Sequence, residues 1–195
     1  MSRRDDNRRA RREALVDAAA RLFAEGGYEG TTVDQIAEAA GLSRRTCFRY
    51  FAGKEDLAFP DHADRLALFA QAIAGEGPAW DRVRGGFVSL GHQLTAERQR
   101  VVRQQRVIES SPALVAADRA RDLEWEAVVA RALSSDWGPA DAPVVAGALM
   151  GAIRVVLRRW FADDGSGDLV AQGLAAFDRL EQGLRPPDSP AQRPR

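Results

Sequence analysis

The sequence contains a single cysteine and only two histidines in 195 residues. One cysteine cannot form an internal disulfide, and so few scattered Cys and His side chains argue against a zinc site. The chain also has no excess of either charge, because 28 Lys and Arg balance 28 Asp and Glu. It is therefore not a bulk polycation, and any nucleic-acid binding must come from a local patch.

Several sequence signals of other protein classes are missing as well. No apolar run approaches the roughly 20 residues of a membrane-spanning helix, and no secretory signal is present. No nucleophile–base–acid set, nucleotide-binding Gly-rich loop or metal motif occurs. We therefore expect a cytosolic protein that is not an enzyme, binds no cofactor and does not associate with membranes.

Helical periodicity runs along the chain, with no strand pattern and no internal repeat. Its later part has more apolar helix faces than one layer can cover, which predicts a bundle. The fold class is thus all-α, with an N-terminal group of three helices followed by a helical-bundle domain. The predicted divisions are a flexible basic arm (1–11), a helix–turn–helix domain (12–59), a helical-bundle domain (60–185), to which the resemblance given below assigns ligand binding and dimerisation, and a disordered tail (186–195).

The stretch 31–54 predicts two three-turn helices joined by a tight turn. Thr32 and Gln35 have the spacing of a capping box. Gly41 can adopt the positive φ that ends a helix, and Ser43 is a good N-cap for the next one. This is the pattern of a helix–turn–helix, whose second helix enters the DNA major groove. The alternative is an ordinary helix pair with a solvated basic face.

The second helix divides into two sides at about 100° per residue. One side is apolar and would pack on the preceding helices: Cys47, Phe48 and Phe51. The other side faces outward: Arg45, Thr46, Arg49 and Tyr50. Arginine can bind guanine edges and phosphates, and threonine can bind bases. A further helix that begins at Gly53 and Lys54 offers free N–H groups to a phosphate.

The run GGYEGTTVDQIAEAAGLSRRTCFRYFAGKEDL resembles the N-terminal domain of TetR-family transcriptional regulators, over about Arg12 to Leu57. The resemblance implies that Thr32, Tyr50 and Lys54 contact phosphates. It implies base contacts by Arg44, Arg45, Thr46 and Phe48. With Arg49 added from the helix geometry, the predicted DNA-binding set is Thr32, Arg44, Arg45, Thr46, Phe48, Arg49, Tyr50 and Lys54.

Two residues of the second helix depart from the family pattern. Cys47 stands where an apolar residue, often Leu, is common, and Phe48 stands where Tyr is frequent. Helical geometry assigns Phe48 to packing, whereas the resemblance assigns it to base contact. Cys47 either packs as a small apolar residue or acts as a thiol switch.

Two flanking features allow alternative interpretations. The arginine-rich arm either frays at the terminus or reaches phosphates or a minor groove. Pro60 either marks a point where motion passes between the two halves or begins the next helix in its first turn.

A helix–turn–helix protein normally binds DNA as a two-fold dimer, which needs a self-complementary surface. The last two predicted helices are the candidates, although their apolar residues could also be intrachain core. The predicted dimerisation residues are Leu149, Ile153, Val156, Trp160, Phe177 and Leu180.

The family resemblance also implies a small-molecule pocket in the second domain. The pocket candidates are apolar and arginine residues of the middle helices, and each could instead be core or solvated surface: Phe69, Phe87, Leu90, Leu94, Arg106, Val107, Trp125, Met150 and Arg154. The segment RVVRQQRVIESSPALVAADRARDLEWE resembles the C-terminal domain of mycofactocin-type TetR regulators. That subgroup implies an acyl-CoA-like ligand.

The expected function is a ligand-responsive repressor that binds a palindromic double-stranded DNA operator as a homodimer. A small apolar or acyl-CoA-like effector would release it. The alternative is a helical lipid-carrier or protein-interaction module without sequence-specific DNA binding, which would leave the arginine-rich helix unexplained.

Overall fold

The structure, a computed structural model, describes residues Arg3–Gly183. These residues form nine α-helices and no strand, which confirms the predicted all-α class. The helices are α1 (Arg3–Gly30), α2 (Val33–Ala39), α3 (Arg44–Tyr50), α4 (Lys54–Ala58), α5 (His62–Ala72), α6 (Ala79–Ala96), α7 (Arg98–Glu109), α8 (Pro112–Ala162) and α9 (Leu169–Glu181). The expected disordered tail (186–195) lies outside the described residues.

Helix α1 begins at Arg3, so the prediction of a flexible arm as far as residue 11 needs correction. Acidic residues in the first turn, Asp5 and Asp6, interact favourably with the positive end of the helix dipole. Arg9 and Glu13 add an ion pair of 2.9 Å between successive turns. The helical path breaks at Gly27, which has a non-helical backbone conformation.

Pro60 lies in the turn between α4 and α5 rather than in the first turn of α5, which begins at His62. Helix α8 likewise consists of two segments, 112–137 and 139–162, on either side of the non-helical Gly138. By length and composition α8 could cross a membrane, because an 18-residue window has a mean hydropathy of 1.6. No such span was predicted from the sequence, and core helices of soluble proteins can have the same length and composition.

The chain forms two compact units. The first contains Met1–Gln71 and Ala96–Trp125, and the second contains Ala72–Thr95 and the chain from Glu126 onward. The predicted boundary at residue 59 therefore does not coincide with the division between the units. Helices α5 and α7 belong mainly to the first unit, because their long-range partners lie there.

The core of the first unit joins α1 to the short helices that follow it. Helix α1 packs against α2, α4 and α7. Deeply buried core residues come from five different helices: Leu15, Ala19, Ile36, Cys47, Leu57 and Leu114. The helix–turn–helix is thus supported from beneath by α1, as the sequence predicted.

The core of the second unit corrects part of the dimerisation prediction. Four of the six predicted interface residues are buried within the chain itself: Leu149, Ile153, Trp160 and Phe177. Phe177 shows why, because its ring lies 5.1 Å from Trp80 and 5.8 Å from Phe87 of α6. The face that α8 leaves exposed carries Val144 (70 % exposed) and Val155 (39 % exposed) instead.

Candidate DNA-binding face

The start of α2 is fixed by the predicted capping box. The Thr32 hydroxyl accepts a hydrogen bond from the Gln35 N–H (3.3 Å), and the Thr32 N–H donates to Oε1 of Gln35 (2.8 Å). Gly41 ends the following turn with φ 66°, where a side chain would be strained. These local bonds set where α3 begins.

Helix α3 is shorter than the sequence indicated. It spans seven residues, about two turns rather than three, because Phe51 already has an extended backbone. Ser43 is its N-cap and accepts from the Thr46 N–H at 3.2 Å. The hydroxyls of Ser43 and Thr46 also lie 2.9 Å apart, so the Thr46 hydroxyl is held at the first turn of α3.

The inner side of α3 consists of Cys47 and Phe51, both buried in the core of the first unit. Burial raises the pKa of the Cys47 thiol, which keeps it protonated at neutral pH. A neutral thiol is a poor nucleophile. The environment of Cys47 therefore favours the packing interpretation over a thiol switch.

Phe48 does not pack in this core, contrary to the helical-geometry assignment. Its ring is 44 % exposed, and the Arg44 guanidinium lies 5.4 Å from the ring centroid. Phe48 lies at the edge of the outer face because Cys47 and Phe51 occupy the side of the motif that faces the core of the first unit. The conflict over Phe48 is thus decided in favour of exposure.

The outer face of α3 carries Arg44, Arg45 and Arg49, which are all exposed. Arg44 forms an ion pair of 2.7 Å with Asp34, which restrains the Arg44 guanidinium next to α2. Arg49 lies over the Tyr50 ring, 5.2 Å from its centroid. The result is a cationic face on a helix whose backbone is fixed at both ends.

Lys54 is more constrained than the sequence indicated. Its ammonium donates to the backbone carbonyl of Tyr28 (2.7 Å) and lies 4.1 Å from the centre of the Tyr28 ring. Tyr28 itself packs edge-on against Phe23, and burial raises the pKa of the Tyr28 hydroxyl. Lys54 therefore ties α4 to the end of α1, with two ammonium N–H groups left for another acceptor.

The backbone N–H groups at the start of α4 are poorly placed to bind a phosphate, which corrects another expectation. Helix α4 has only five residues, and its first turn carries Glu55 and Asp56. The Asp56 carboxylate accepts from the Ala52 N–H at 2.9 Å. Two carboxylates at this position repel an anion.

A cavity of about 310 Å³ lies behind the end of α3, where the sequence did not predict a pocket. Aromatic and charged side chains line it: Arg12, Tyr50, Phe51, Asp56, Phe59, Pro60, His62, Ala63, Asp64 and Arg121. Arg121 pairs with Glu55 at 2.9 Å, and His62 Nε2 lies 2.9 Å from Glu124. These partners are far apart in sequence, so no local signal could have identified them.

The predicted effector residues are divided between the two units. Phe69, Arg106, Val107 and Trp125 belong to the first unit, where the Phe69 and Trp125 rings lie 5.1 Å apart. The remainder belong to the second unit: Phe87, Leu90, Leu94, Met150 and Arg154. Phe69, Leu94 and Met150 are buried core residues, whereas Arg106 and Arg154 are exposed. Among the described residues, no group of three His, Cys, Asp or Glu could hold a metal.

Two family models match the chain. The model of bacterial regulatory proteins of the tetR family matches residues 15–59, which include α2 and α3. The MftR C-terminal domain model matches residues 77–185. The second match spans more than half of the chain and agrees with the mycofactocin-type resemblance of the sequence.

Curated relatives extend over nearly the whole chain. TcmR of Streptomyces glaucescens, an HTH-type transcriptional regulator, is 34 % identical over 91 % of this chain and 84 % of its own. MftR of Mycobacterium tuberculosis, named as a mycofactocin biosynthesis transcriptional regulator, is 29 % identical over 87 % of this chain and 89 % of its own.

Solved structures share the fold at lower identity. SmeT of Stenotrophomonas maltophilia, in complex with triclosan, superposes with a TM-score of 0.68 at 20 % identity, over 95 % of this chain and all of its own. FadR of Bacillus subtilis, in complex with stearoyl-CoA, superposes with a TM-score of 0.65 at 21 % identity, over 89 % of this chain and 99 % of its own. With the capped cationic helix and both family matches, these findings show that the chain belongs to the TetR family of bacterial regulatory proteins and is a DNA-binding transcriptional regulator.

Proposed function

We propose that this regulator is a cytoplasmic repressor that binds a palindromic operator as a homodimer and leaves it when an effector binds. The observation that carries the proposal is the outer face of α3. Arg45 and Arg49 are exposed there, while Cys47 and the Ser43 cap fix the helix beneath them. Repression is supported by relatives such as AcnR of Corynebacterium glutamicum, a repressor 38 % identical over 66 residues.

The DNA-contact roles follow from the freedom of each side chain. Arg45 and Arg49 are placed to bind guanine edges, since neither is held by the capping bonds. The exposed Phe48 ring suits contact with a thymine methyl group, and Thr46 flanks the first turn. Arg44 is held by Asp34, so it acts at the edge of the base-contacting set.

Phosphate contacts would fix the orientation of α3 on the duplex. Thr32 is exposed at the N-terminus of α2, and Tyr50 is half-buried at the end of α3. Lys54 contributes the ammonium N–H groups that Tyr28 does not use. Removing any one of these should weaken binding to all DNA sequences alike.

Dimerisation is proposed through the exposed apolar face of the second segment of α8. Val144 and Val155 are exposed, and the half-buried Val156 and Leu180 of the predicted set remain candidates. Exposed apolar side chains on one helix indicate a partner surface that buries them. A two-fold dimer would present its two α3 helices to half-sites about 34 Å apart.

The proposed effector is an apolar molecule or an acyl-CoA. Support comes from the MftR C-terminal domain match and from fold neighbours solved with stearoyl-CoA and with triclosan. Phe87, Leu90, Leu94 and Met150 offer an apolar lining in the second unit, with Arg154 for an anionic head group. Phe69, Val107 and Trp125, with Arg106, are the corresponding candidates in the first unit. Release requires that the effector prefer the conformation that does not bind DNA.

The proposal is tested by fluorescence anisotropy with duplexes that tile the DNA upstream of the protein's own gene. One duplex should bind tightly with an affinity that falls steeply with salt, and stearoyl-CoA should release it. Arg45→Ala with Tyr50→Phe should abolish the preference for that duplex, while Arg98→Ala, an exposed arginine of α7, should not. Equal binding of all duplexes would refute operator recognition, and persistence of the complex with stearoyl-CoA would refute this effector class.

A further inference from the structure

The first turn of α4 carries two negative charges next to a proposed phosphate contact. Glu55 and Asp56 follow directly after Lys54 in the chain. Their side chains are 52 % and 43 % exposed, so both carboxylates reach solvent. Carboxylates beside a phosphate contact repel the DNA backbone. DNA binding therefore gains if a positive charge offsets them.

Asp56 also lies close to the second proposed phosphate contact, Tyr50. The Asp56 carboxylate accepts a hydrogen bond from the Ala52 N–H at 2.9 Å, and Ala52 follows Tyr50 by two residues. Asp56 and Tyr50 line the same cavity behind the end of α3. The hydrogen bond thus restrains a negative charge at the junction between α3 and α4, near any duplex that is bound to α3.

The offsetting charge comes from Arg121, in the first segment of α8. Its guanidinium donates to Oε1 of Glu55 at 2.9 Å and lies 3.7 Å from Oδ1 of Asp56. It also donates to the carbonyl of Ala117 at 3.2 Å and lies 4.0 Å from the centre of the Phe59 ring. Only 14 % of the Arg121 side chain is exposed. One arginine is therefore held in place between the two carboxylates.

The position of α4 does not depend on this arginine alone. Leu57 and Ala58 are buried in the core of the first unit. The Gln104 side chain of α7 donates to the carbonyl of Ala58 at 2.8 Å. Ion pairs with half-exposed carboxylates contribute little to folding stability. The distinctive contribution of Arg121 is therefore its charge.

These charges act at the contact that holds Lys54. The Lys54 ammonium is bound by the carbonyl and the ring of Tyr28. Burial raises the pKa of the Tyr28 hydroxyl, the negative charges of Glu55 and Glu29 raise it further, and Arg121 opposes the rise. Glu55 and Arg121 thus have opposite electrostatic effects beside Lys54.

We propose that Arg121 promotes DNA binding by neutralising Glu55 and Asp56, without itself contacting the DNA. This role rests on the proposed phosphate contacts of Lys54 and Tyr50. Arg121 lies outside the helix–turn–helix, in the part of the chain that matches the MftR C-terminal domain model. A residue of that part therefore sets the charge next to the DNA-binding helices, and its loss uncovers two carboxylates in each subunit.

The test orders four proteins by the charge of these three side chains, which is one net negative charge in wild type. Arg121→Gln makes it two negative charges. Adding Glu55→Gln and Asp56→Asn to Arg121→Gln makes it zero, and Glu55→Gln with Asp56→Asn alone makes it one positive charge. Affinity for a random-sequence duplex and for the operator should rise in that order of charge. Fluorescence anisotropy measures both affinities.

Each unit of charge should change DNA affinity by on the order of threefold per subunit. The differences should shrink between about 0.01 M and 0.15 M salt, because the Debye length falls from about 30 Å to about 8 Å. Differences that do not depend on salt would overturn the electrostatic role.

The decisive comparison is between Arg121→Gln and the triple variant, which lacks the same ion pairs. If Arg121 acts through its charge, the triple variant binds DNA at least as tightly as wild type. If Arg121 serves only to clamp α4, the triple variant binds as weakly as Arg121→Gln, and the proposal is overturned. Wild-type affinity in Arg121→Gln at low salt would also overturn it.

The matched control is Arg84→Gln, in the second unit. Arg84 also lies between two carboxylates, Asp178 at 2.5 Å and Glu181 at 3.5 Å. This variant should keep DNA affinity within about twofold of wild type, because its charges are remote from the proposed phosphate contacts. An equal loss in Arg84→Gln would contradict a local role for Arg121.

Two further outcomes are separated by the same set of proteins. Glu55→Gln with Asp56→Asn retains Arg121 and covers the case in which Arg121→Gln does not fold. Unless that double variant binds DNA more tightly than wild type, the proposal is overturned. If wild type does not prefer the operator to random DNA, operator recognition by α3 fails, while the order of affinities on random DNA still decides the role of Arg121.

Discussion

Two exposed faces of this regulator differ in chemistry and therefore in partner. The outer face of α3 is cationic and lies on a seven-residue helix fixed by caps and by the buried Cys47. The exposed face of the second segment of α8 is apolar, with Val144 70 % and Val155 39 % exposed. A cationic face gains from a polyanion, whereas an apolar face gains from another apolar face.

The comparison shows that a residue type does not by itself identify an interface. On the second segment of α8 the large Trp160 is buried within the chain, and the smaller Val144 and Val155 remain exposed. On α3 the aromatic Phe48 is exposed, and the small Cys47 is buried. In both helices the position around the helix axis decides the role of each side chain.

The largest expected effect comes from breaking the apolar face. Val144→Asp with Val155→Asp should convert a dimer into a monomer, because burying two carboxylates against an apolar surface is costly. Losing the second half-site contact should lower operator affinity by about 10²–10⁴-fold. Light scattering after size-exclusion chromatography measures the oligomeric state, and fluorescence anisotropy measures the operator affinity.

The control for this prediction is Val144→Ala with Val155→Ala, which retains an apolar surface and should weaken the dimer far less. A monomer–dimer equilibrium that the aspartate variant leaves unchanged would show that the interface lies elsewhere.

The second prediction separates the core from the exposed face on the same helix. Leu149→Ala should lower the free energy of unfolding by roughly 2–5 kcal/mol at any protein concentration, because Leu149 is fully buried within the chain. Val144→Ala should have an effect only while the proposed dimer is populated, so this effect should shrink as the protein is diluted. Urea unfolding at two protein concentrations distinguishes the two variants. An equal concentration dependence in both would contradict the assignment of Leu149 to the core and Val144 to the exposed face.

Local signals in the sequence were sufficient for the helix–turn–helix but not for the second unit. The Thr32 capping box, the Gly41 turn and the Ser43 cap involve residues within a few positions of each other, and the structure contains all three. Whether Leu149 or Val144 faces the core depends on how α6, α8 and α9 pack. Periodicity identifies a stripe but not its partner.

The incorrect or missing predictions near α3 also concern packing and contacts between residues that are distant in sequence. Phe48 lies at the border between two faces, and only the packing of Cys47 and Phe51 against α1 decides its side. The pair between Arg121 and Glu55, and the contact of Lys54 with Tyr28, join residues distant in sequence. The start of α1 at Arg3 was missed because polar helices lack an apolar stripe.

A smaller effect is expected from the cap that supports the cationic face. Ser43→Ala removes the acceptor for the Thr46 N–H and should lower the free energy of unfolding by about 1 kcal/mol. Operator affinity should fall modestly as the first turn of α3 frays. The control Ser134→Ala, a hydroxyl bonded to the Arg131 carbonyl of α8, should change stability by less than about 0.5 kcal/mol. Equal effects of both substitutions would argue against a specific capping role.

The smallest effect concerns the residue beneath the cationic face. Burial raises the pKa of Cys47 in the folded protein above its ordinary value of 9.0. A raised pKa means that the stabilising contribution is fully present below pH 9.0 and is lost as pH rises through the folded-state pKa. The stability difference between wild type and Cys47→Ala should therefore shrink between pH 7 and pH 10 in urea unfolding. A constant difference would show that the thiol does not titrate on unfolding.

The role of α3 is tested most directly by competition between operator and scrambled duplexes for wild type and for Arg45→Ala with Arg49→Ala. Wild type should prefer the operator by about 10³-fold or more at physiological salt. The double variant should lose at least about 100-fold in operator affinity, since each arginine–base contact contributes roughly 1–3 kcal/mol of discrimination. It should remain folded in the oligomeric state of the wild type, with a smaller loss of affinity for scrambled DNA. Retention of the wild-type preference in the double variant would contradict base recognition by the cationic face of α3.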